Sequence, residues 1–204
     1  MSKEYGYIGK EVEQAFRSNK GIFTPQDIIE LDQENKWTNF GQLELIQTQT
    51  VSSVTDVDFN SIKQDIYDVL FATWQFEKAV GRMDIRFYEN GVLETGNVYQ
   101  MARQAGQTDG TFSESKSTAF GGIPIDVGMT NKQSQGYIYF YNLGNSAKYS
   151  FATMQSFIED NGFTFGGGVL PQASVVDGIR FRNVDTANIT GTLRLFGVKQ
   201  LWVT

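Results

Sequence analysis

The chain has 204 residues, 17 Lys plus Arg against 23 Asp plus Glu, a formal net charge of −6, and neither cysteine nor histidine. Without those two residue types there are no disulfides, thiolate nucleophiles, Ser-His or Cys-His pairs, and the commonest zinc ligand is missing. Scattered basic residues in an acidic chain also argue against a surface built to neutralise nucleic-acid phosphates.

The length suits one sizeable domain with an appendage. No apolar run approaches the roughly 18–20 residues of a membrane helix. The N-terminal MSKEYGYIGK lacks the apolar core of a signal peptide. The expectation is a soluble protein made in a cytoplasm.

Residues Met1 to Phe40 carry isolated aromatics and no sustained alternation, so they form a segment of their own (1–40) ahead of a strand-rich domain (41–204). Within the segment, Thr24-Pro25-Gln26-Asp27 places a hydroxyl at the N-cap, proline at N1 and a carboxylate at N3. Ile28, Ile29 and Leu31 follow, which predicts a short helix from about Pro25 to Leu31. It is either a cap on the open end of the domain or part of an arm whose apolar anchors order on a partner. The anchors are Tyr5, Tyr7, Ile8, Phe16, Ile22, Phe23, Ile28, Ile29 and Leu31.

From Gly41 the pattern has the period of two that belongs to strands. Leu43, Leu45, Gln47, Gln49 and Val51 share one phase of a half-polar strand, and Ile46, Thr48 and Thr50 the other. Val69 to Phe76 is apolar in both phases, as expected in the middle of a sheet. Asn90-Gly91, between Met83–Tyr88 and Val92–Met101, is a type I′ hairpin signal.

Gln104 to Gly122 is polar and glycine-rich and reads as a long loop, either solvated or partner-contacting. Then comes Gly136 to Thr153, where Tyr137, Tyr139 and Tyr141 alternate with Ile138 and Phe140 before a turn of Asn, Gly and Ser. This predicts a central antiparallel hairpin with one face on a core and a tyrosine face whose hydroxyls stay near water or hydrogen-bond partners. Strands are also expected at Tyr149–Ile158, Phe163–Leu170, Gly178–Val184 and Ile189–Val203. Gly166-Gly167-Gly168 marks a bulge or close backbone packing rather than a phosphate loop, because no helix or lysine follows it. Eight to ten strands without βαβ alternation give an all-β antiparallel sandwich of the jelly-roll type.

Candidate chemistry is sparse. Asp56 with Asp58, and Glu159 with Asp160, are acid pairs that could serve calcium or a glycosidase, or simply cap turns and blunt edges. Ser113 to Lys116 reads S-x-x-K but lacks a helix start. Trp37, Trp74 and Trp202 are candidates for stacking on sugars, against a packing role for each. No catalytic residue, metal ligand or cofactor site emerges, and none is expected.

Val54–Asn60 (VTDVDFN), Tyr67–Trp74 (YDVLFATW), Met83–Thr95, Gly136–Tyr149, Val176–Phe181 (VDGIRF) and Gly191–Lys199 (GTLRLFGVK) together resemble a β-sandwich domain of virion structural proteins of tailed bacteriophages, especially marine and cyanobacterial phages. YGYIG and NKGIFTPQDIIEL resemble the leading segments by which such proteins attach to the particle. The resemblance implies a non-enzymatic virion component: a head decoration protein, a neck or tail appendage, or a fibre. Its partners would be other virion proteins and further copies of itself, in a homotrimer. A receptor- or carbohydrate-binding module of a tail fibre, recognising a host surface glycan, is the alternative.

Deleting residues 1–40 is expected to leave the far-UV β signature and cooperative urea unfolding intact. A truncated chain that cannot fold would make the segment a structural part of the sandwich.

Overall fold

The computed structural model describes residues 25–33 and 43–198. The chain divides into two units, Met1–Phe40 and Gly41–Thr204. Of the first, only helix α1 (Pro25–Gln33) is described. It starts at the proline and runs two residues beyond the expected end, and Gln26 Nε2 donates to Glu30 Oε1 one turn on at 3.0 Å. Ile29 is exposed on it. Tyr5, Tyr7, Ile8, Phe16, Ile22 and Phe23 lie outside the described residues, as do Trp37 and Trp202.

The second unit is built from strands β1 (Leu43–Val54), β2 (Asp56–Phe59), β3 (Val69–Gly81), β4 (Met83–Glu89), β5 (Val92–Leu93), β6 (Tyr99–Gln107), β7 (Phe112–Phe120), β8 (Ile123–Pro124), β9 (Met129–Tyr141), β10 (Ser150–Ile158), β11 (Gly162–Leu170), β12 (Val176–Asn183) and β13 (Ile189–Val198). Two antiparallel sheets face each other. One has eight strands in the order β1-β13-β3-β9-β10-β11-β6-β7, and the other has the order β2-β12-β4-β5 with β8 also on β4.

Eight of these strands make a jelly roll. Taken in chain order, β1, β2, β3, β4, β8, β9, β12 and β13 give the sheet orders 1-8-3-6 and 2-7-4-5, the double Greek key. Two hairpins are inserted into that frame. The β6/β7 hairpin comes between β4 and β8, the β10/β11 hairpin between β9 and β12, and both extend the larger sheet.

Several sequence expectations are met. β9 and β10 pair as a hairpin in the middle of the large sheet, and β3 lies between β13 and β9. Asn90 (φ 51°) and Gly91 (φ 75°) both take the positive φ of a type I′ turn.

Three expectations change. The polar stretch Gln104–Gly122 is mostly the β6/β7 hairpin, and its apolar periodicity is weak because β7 is an edge strand exposed along most of its length. Val92–Met101 is two strands, since β5 stops after two residues and the chain crosses to the other sheet as β6. In β1 a bulge between Leu45 and Gln47 reverses the alternation. Leu43 and Leu45 therefore share the outer face with Thr48 and Thr50, while Ile46, Gln47 and Val51 turn toward the interior.

The core lies between the sheets. Phe59, Phe87, Phe140, Phe181, Ile85, Ile138, Leu193 and Leu195 are fully buried there. Trp74 belongs to it at 2% exposure, which gives it the packing role rather than a sugar-stacking one. Its indole lies over Gly136 on the neighbouring strand, where a Cβ would stand 2.4 Å from the ring, and its Nε1 donates to Ser134 Oγ at 3.3 Å.

At one end of the core the ammonium of Lys78 and the carboxylate of Asp126, both inaccessible, meet at 2.6 Å. The second Asp126 oxygen accepts the Met83 amide at 2.8 Å, and Arg103 Nη1 donates to the Asp126 carbonyl. Burial pushes the Lys78 pKa down and the Asp126 pKa up, and their mutual attraction opposes both shifts.

Asp126→Ala, which strands the Lys78 charge, is expected to cost about 3–5 kcal/mol in urea unfolding. The double change Lys78→Met with Asp126→Leu is expected to recover most of that loss.

Candidate interaction surface

In an antiparallel pair, residues directly opposite one another share a face, so the register fixes what the large sheet presents outward. One ladder runs Leu43, Val198, Val69, Tyr141, Phe151, Val169, Gln100 from β1 to β6. The next runs Leu45, Phe196, Phe71, Tyr139, Thr153, Gly167, Ala102, Lys116 from β1 to β7. The third is Thr48, Arg194, Thr73, Tyr137, Gln155, Phe165, Gln104, Glu114. The fourth is Thr50, Thr192, Gln75, Gln135, Phe157, Phe163, Gly106, Phe112.

About a third of these outward positions are aromatic, set among polar and aliphatic ones. Phe71 packs against Tyr139 with ring centroids 4.7 Å apart, and against Tyr137 and Phe196 at 6.0 Å each. Phe163 stacks on Phe165 at 6.1 Å and meets Phe112 edge-on at 6.3 Å. Phe112, Phe157, Phe151 and Phe165 remain 66, 57, 44 and 44% exposed. Two of the three tyrosine hydroxyls of β9 have side-chain partners on β10. Tyr137 Oη donates to Gln155 Oε1 at 2.8 Å, and Tyr141 Oη lies 3.3 Å from Thr153 Oγ1.

The relief of the face is uneven. In the second ladder the bulky side chains Phe196, Phe71 and Tyr139 form a ridge over β13, β3 and β9. Thr153, Gly167 and Ala102 continue the same line over β10, β11 and β6 as the floor of a trough of about 700 Å³, walled by Phe151 and Val169 and closed at its end by Lys116 and Thr118.

The smaller sheet solves its outer face differently. Arg180 clasps Asp58 with two bonds of 2.7 Å, and Arg182 clasps Asp84 at 2.6 and 3.0 Å. Arg86 donates to the Gly121 carbonyl at 2.6 Å, and the Arg180 guanidinium lies 5.6 Å from the centre of the Tyr88 ring. The hydrogen bonds to Asp58 hold the Arg180 pKa above its ordinary value. This is a face of paired charges, with Arg180 and Asp58 partly in water and Asp84 buried under its arginine.

The acid pairs singled out from the sequence have structural partners. Asp58 is taken by Arg180, and Asp56 accepts from Thr55 Oγ1 at 3.1 Å. Asp160 pairs with Lys132, while Glu159 accepts the Gln133 amide at 3.2 Å. Among the described residues no group of three or more His, Cys, Asp or Glu is placed to hold a metal. Ser113 and Lys116 sit on opposite faces of β7, since they oppose Ala105 and Ala102 and those alternate across β6.

Sequence reading found the tyrosine row but not the partners of that row, Phe71, Phe196, Phe163 and Phe165. The signal was the double-phase apolar pattern of β3, which a sheet with one solvated face does not show.

Phe151→Ser and Phe165→Ser are expected to lower binding of an apolar fluorescent dye while changing stability by less than about 1 kcal/mol in urea unfolding. A larger loss of stability would mean that these rings are held within the folded chain.

No family model and no curated protein matches the chain. A solved structure of infectious bursal disease virus, Gx strain, aligns over 78% of this chain and 37% of that one, at 11% identity and a TM-score of 0.11. A superposition at that level does not establish a common fold.

Proposed function

We propose that the chain is a non-enzymatic structural protein of a tailed-phage virion, of the head-decoration or neck and tail appendage kind, that works by burying surface against other chains. The observation that carries the assembly role is the outer face of the eight-stranded sheet. A row of phenylalanines and tyrosines there faces outward, on a molecule whose other sheet shows how readily this sequence makes a charged face. Exposed apolar patches of this extent mark interaction sites, because burying them contributes about 25 cal/mol for each Å² removed from water. The virion setting comes from the sequence resemblance, and a jelly roll is compatible with it. The N-terminal anchors, Tyr5 to Leu31, would supply a second attachment.

A receptor- or glycan-binding module is the second reading, and the trough favours it. Its volume lies in the range of small-molecule sites, it has Phe151 as a wall, and Gln100 and Thr153 are among the polar residues that line it. The exposed aromatic that a sugar would need is then a phenylalanine of the sheet and not Trp74.

Quantitative mass spectrometry of purified particles tests the first reading. The protein is expected in the particle at a fixed copy number, and it should be lost from the particle when residues 1–40 are deleted. Its absence from purified particles would overturn the virion assignment.

A further inference from the structure

We infer that the aromatic face of the eight-stranded sheet binds a second copy of the same chain across a two-fold axis parallel to the strands. This deepens the proposal above and rests on its claim that the face is an assembly surface. The middle of the eight-stranded sheet falls between β9 and β10. A two-fold axis lying over that line and along the strands sets β9 on β10 of the other copy, β3 on β11, β13 on β6 and β1 on β7, with each ladder kept over itself.

In the second ladder this brings large onto small at each central position. Tyr139 would meet Thr153 of the second copy, Phe71 would meet Gly167, and Phe196 would meet Ala102. The ridge of one copy enters the trough of the other, and the reverse contact forms at the same time, as an isologous interface requires. Face-to-face sheets pack with strand directions within about 30° of one another, so the pairs nearest the axis keep this register best.

Charge agrees with shape. Arg194 of β13 is exposed and has no ion-pair partner among the described residues. Under the axis it lies above Gln104 of the second copy, one strand from Glu114, which is itself exposed and receives only a 3.4 Å bond from that glutamine. Within one chain the two residues are six strand steps apart, roughly 29 Å at about 4.8 Å a step, too far to pair. The field spanned by the four ladders is on the order of 800 Å² for each copy, the size of a standard specific interface.

Sedimentation equilibrium of the full chain over a wide concentration range is expected to show a monomer–dimer equilibrium. Ala102→Trp, which fills the trough at an exposed position, should weaken the dimer about tenfold or more without lowering the melting temperature at concentrations where the parent is monomeric. Arg194→Glu and Glu114→Arg should each weaken it, and the two changes combined should restore it to within about threefold of the parent. That rescue needs the two side chains to meet between copies, and both sites are exposed, so it stands as a test even if Ala102→Trp does not fold.

A strict monomer, a trimer, or a double variant no better than either single one would overturn the pairing. So would a monomer whose retention on a glycan array is lost with Ala102→Trp, which would give the trough to a sugar. A chain that dimerises only after residues 1–40 are removed would give the face to the chain's own arm, with the same consequence. A monomer that is nonetheless present in particles would leave the virion reading standing, and a rescued dimer absent from particles would remove that reading alone.

Discussion

The sandwich depends on register, and the register is most strongly specified by β9. A slip of one residue in any strand exchanges its two faces. In β9 that would bring Tyr137, Tyr139 and Tyr141 into a core now filled by Ile138 and Phe140, and would place three hydroxyls where no partner waits. Trp74 adds a steric lock, because its ring occupies the space over Gly136 that any other residue of β9 would fill with a side chain. With β3 and β10 fixed on β9, the remaining strands of the large sheet inherit their faces in turn. The buried Lys78–Asp126 pair closes one end in a single arrangement, since neither charge has another partner of opposite sign at hydrogen-bonding distance among the described residues.

The two outer faces show opposite solutions to one problem. Outside the small sheet, Asp56, Asp58, Asp84, Arg86, Arg180 and Arg182 come together from β2, β4 and β12, and most of their hydrogen-bonding capacity is used between strands. Bidentate arginine pairs of this sort hold two strands in register. Outside the large sheet, about a third of the same positions in the alternation hold rings. Aromatic cross-strand pairs stabilise a sheet by a few tenths to about 1 kcal/mol each, which accounts for a few of them. It does not account for Phe112, Phe151, Phe157 and Phe165, whose surfaces stay largely in water. Those rings contribute fully only when something covers them.

Much of the fold was legible in the sequence because the strongest signals are local. Alternation in 136–153, the Asn90-Gly91 turn and the proline-led start of α1 all read correctly within a window of a few residues. What was not legible depends on partners distant in the chain. The bulge in β1 leaves the composition of that strand unchanged and shows only in its pairing with β13. β7 carries almost no pattern, since an edge strand exposed on both sides has no face to declare, and only β6 makes it a strand. The acids at 56 and 58 looked like possible ligands because Arg180, more than a hundred residues later, is invisible to a local reading. The candidate surface was half visible. The tyrosines announced an outward row, but the residues that turn the row into a face come from strands that only the topology brings alongside.

The relief of that face follows from how the jelly roll was enlarged. The ridge of Phe196, Phe71 and Tyr139 belongs to β13, β3 and β9, strands of the eight that make the double Greek key. The trough floor belongs to β10, β11 and β6, the strands of the inserted hairpins. In β11 the close approach of neighbouring backbones excludes side chains. A Cβ at Gly166 would stand 2.3 Å from the Ala102 carbonyl oxygen, one at Gly167 would stand 2.2 Å from that of Ala152, and one at Gly168 would stand 2.7 Å from that of Gln100. Three adjacent residues are thus held to glycine by contacts within the sheet. Because side chains alternate across a strand, the middle one leaves a gap on the outer side. The hollow at Gly167 is therefore a by-product of seating β11 between β10 and β6, and the ring-rich side of the same ladder is where a second molecule's hollow finds its match.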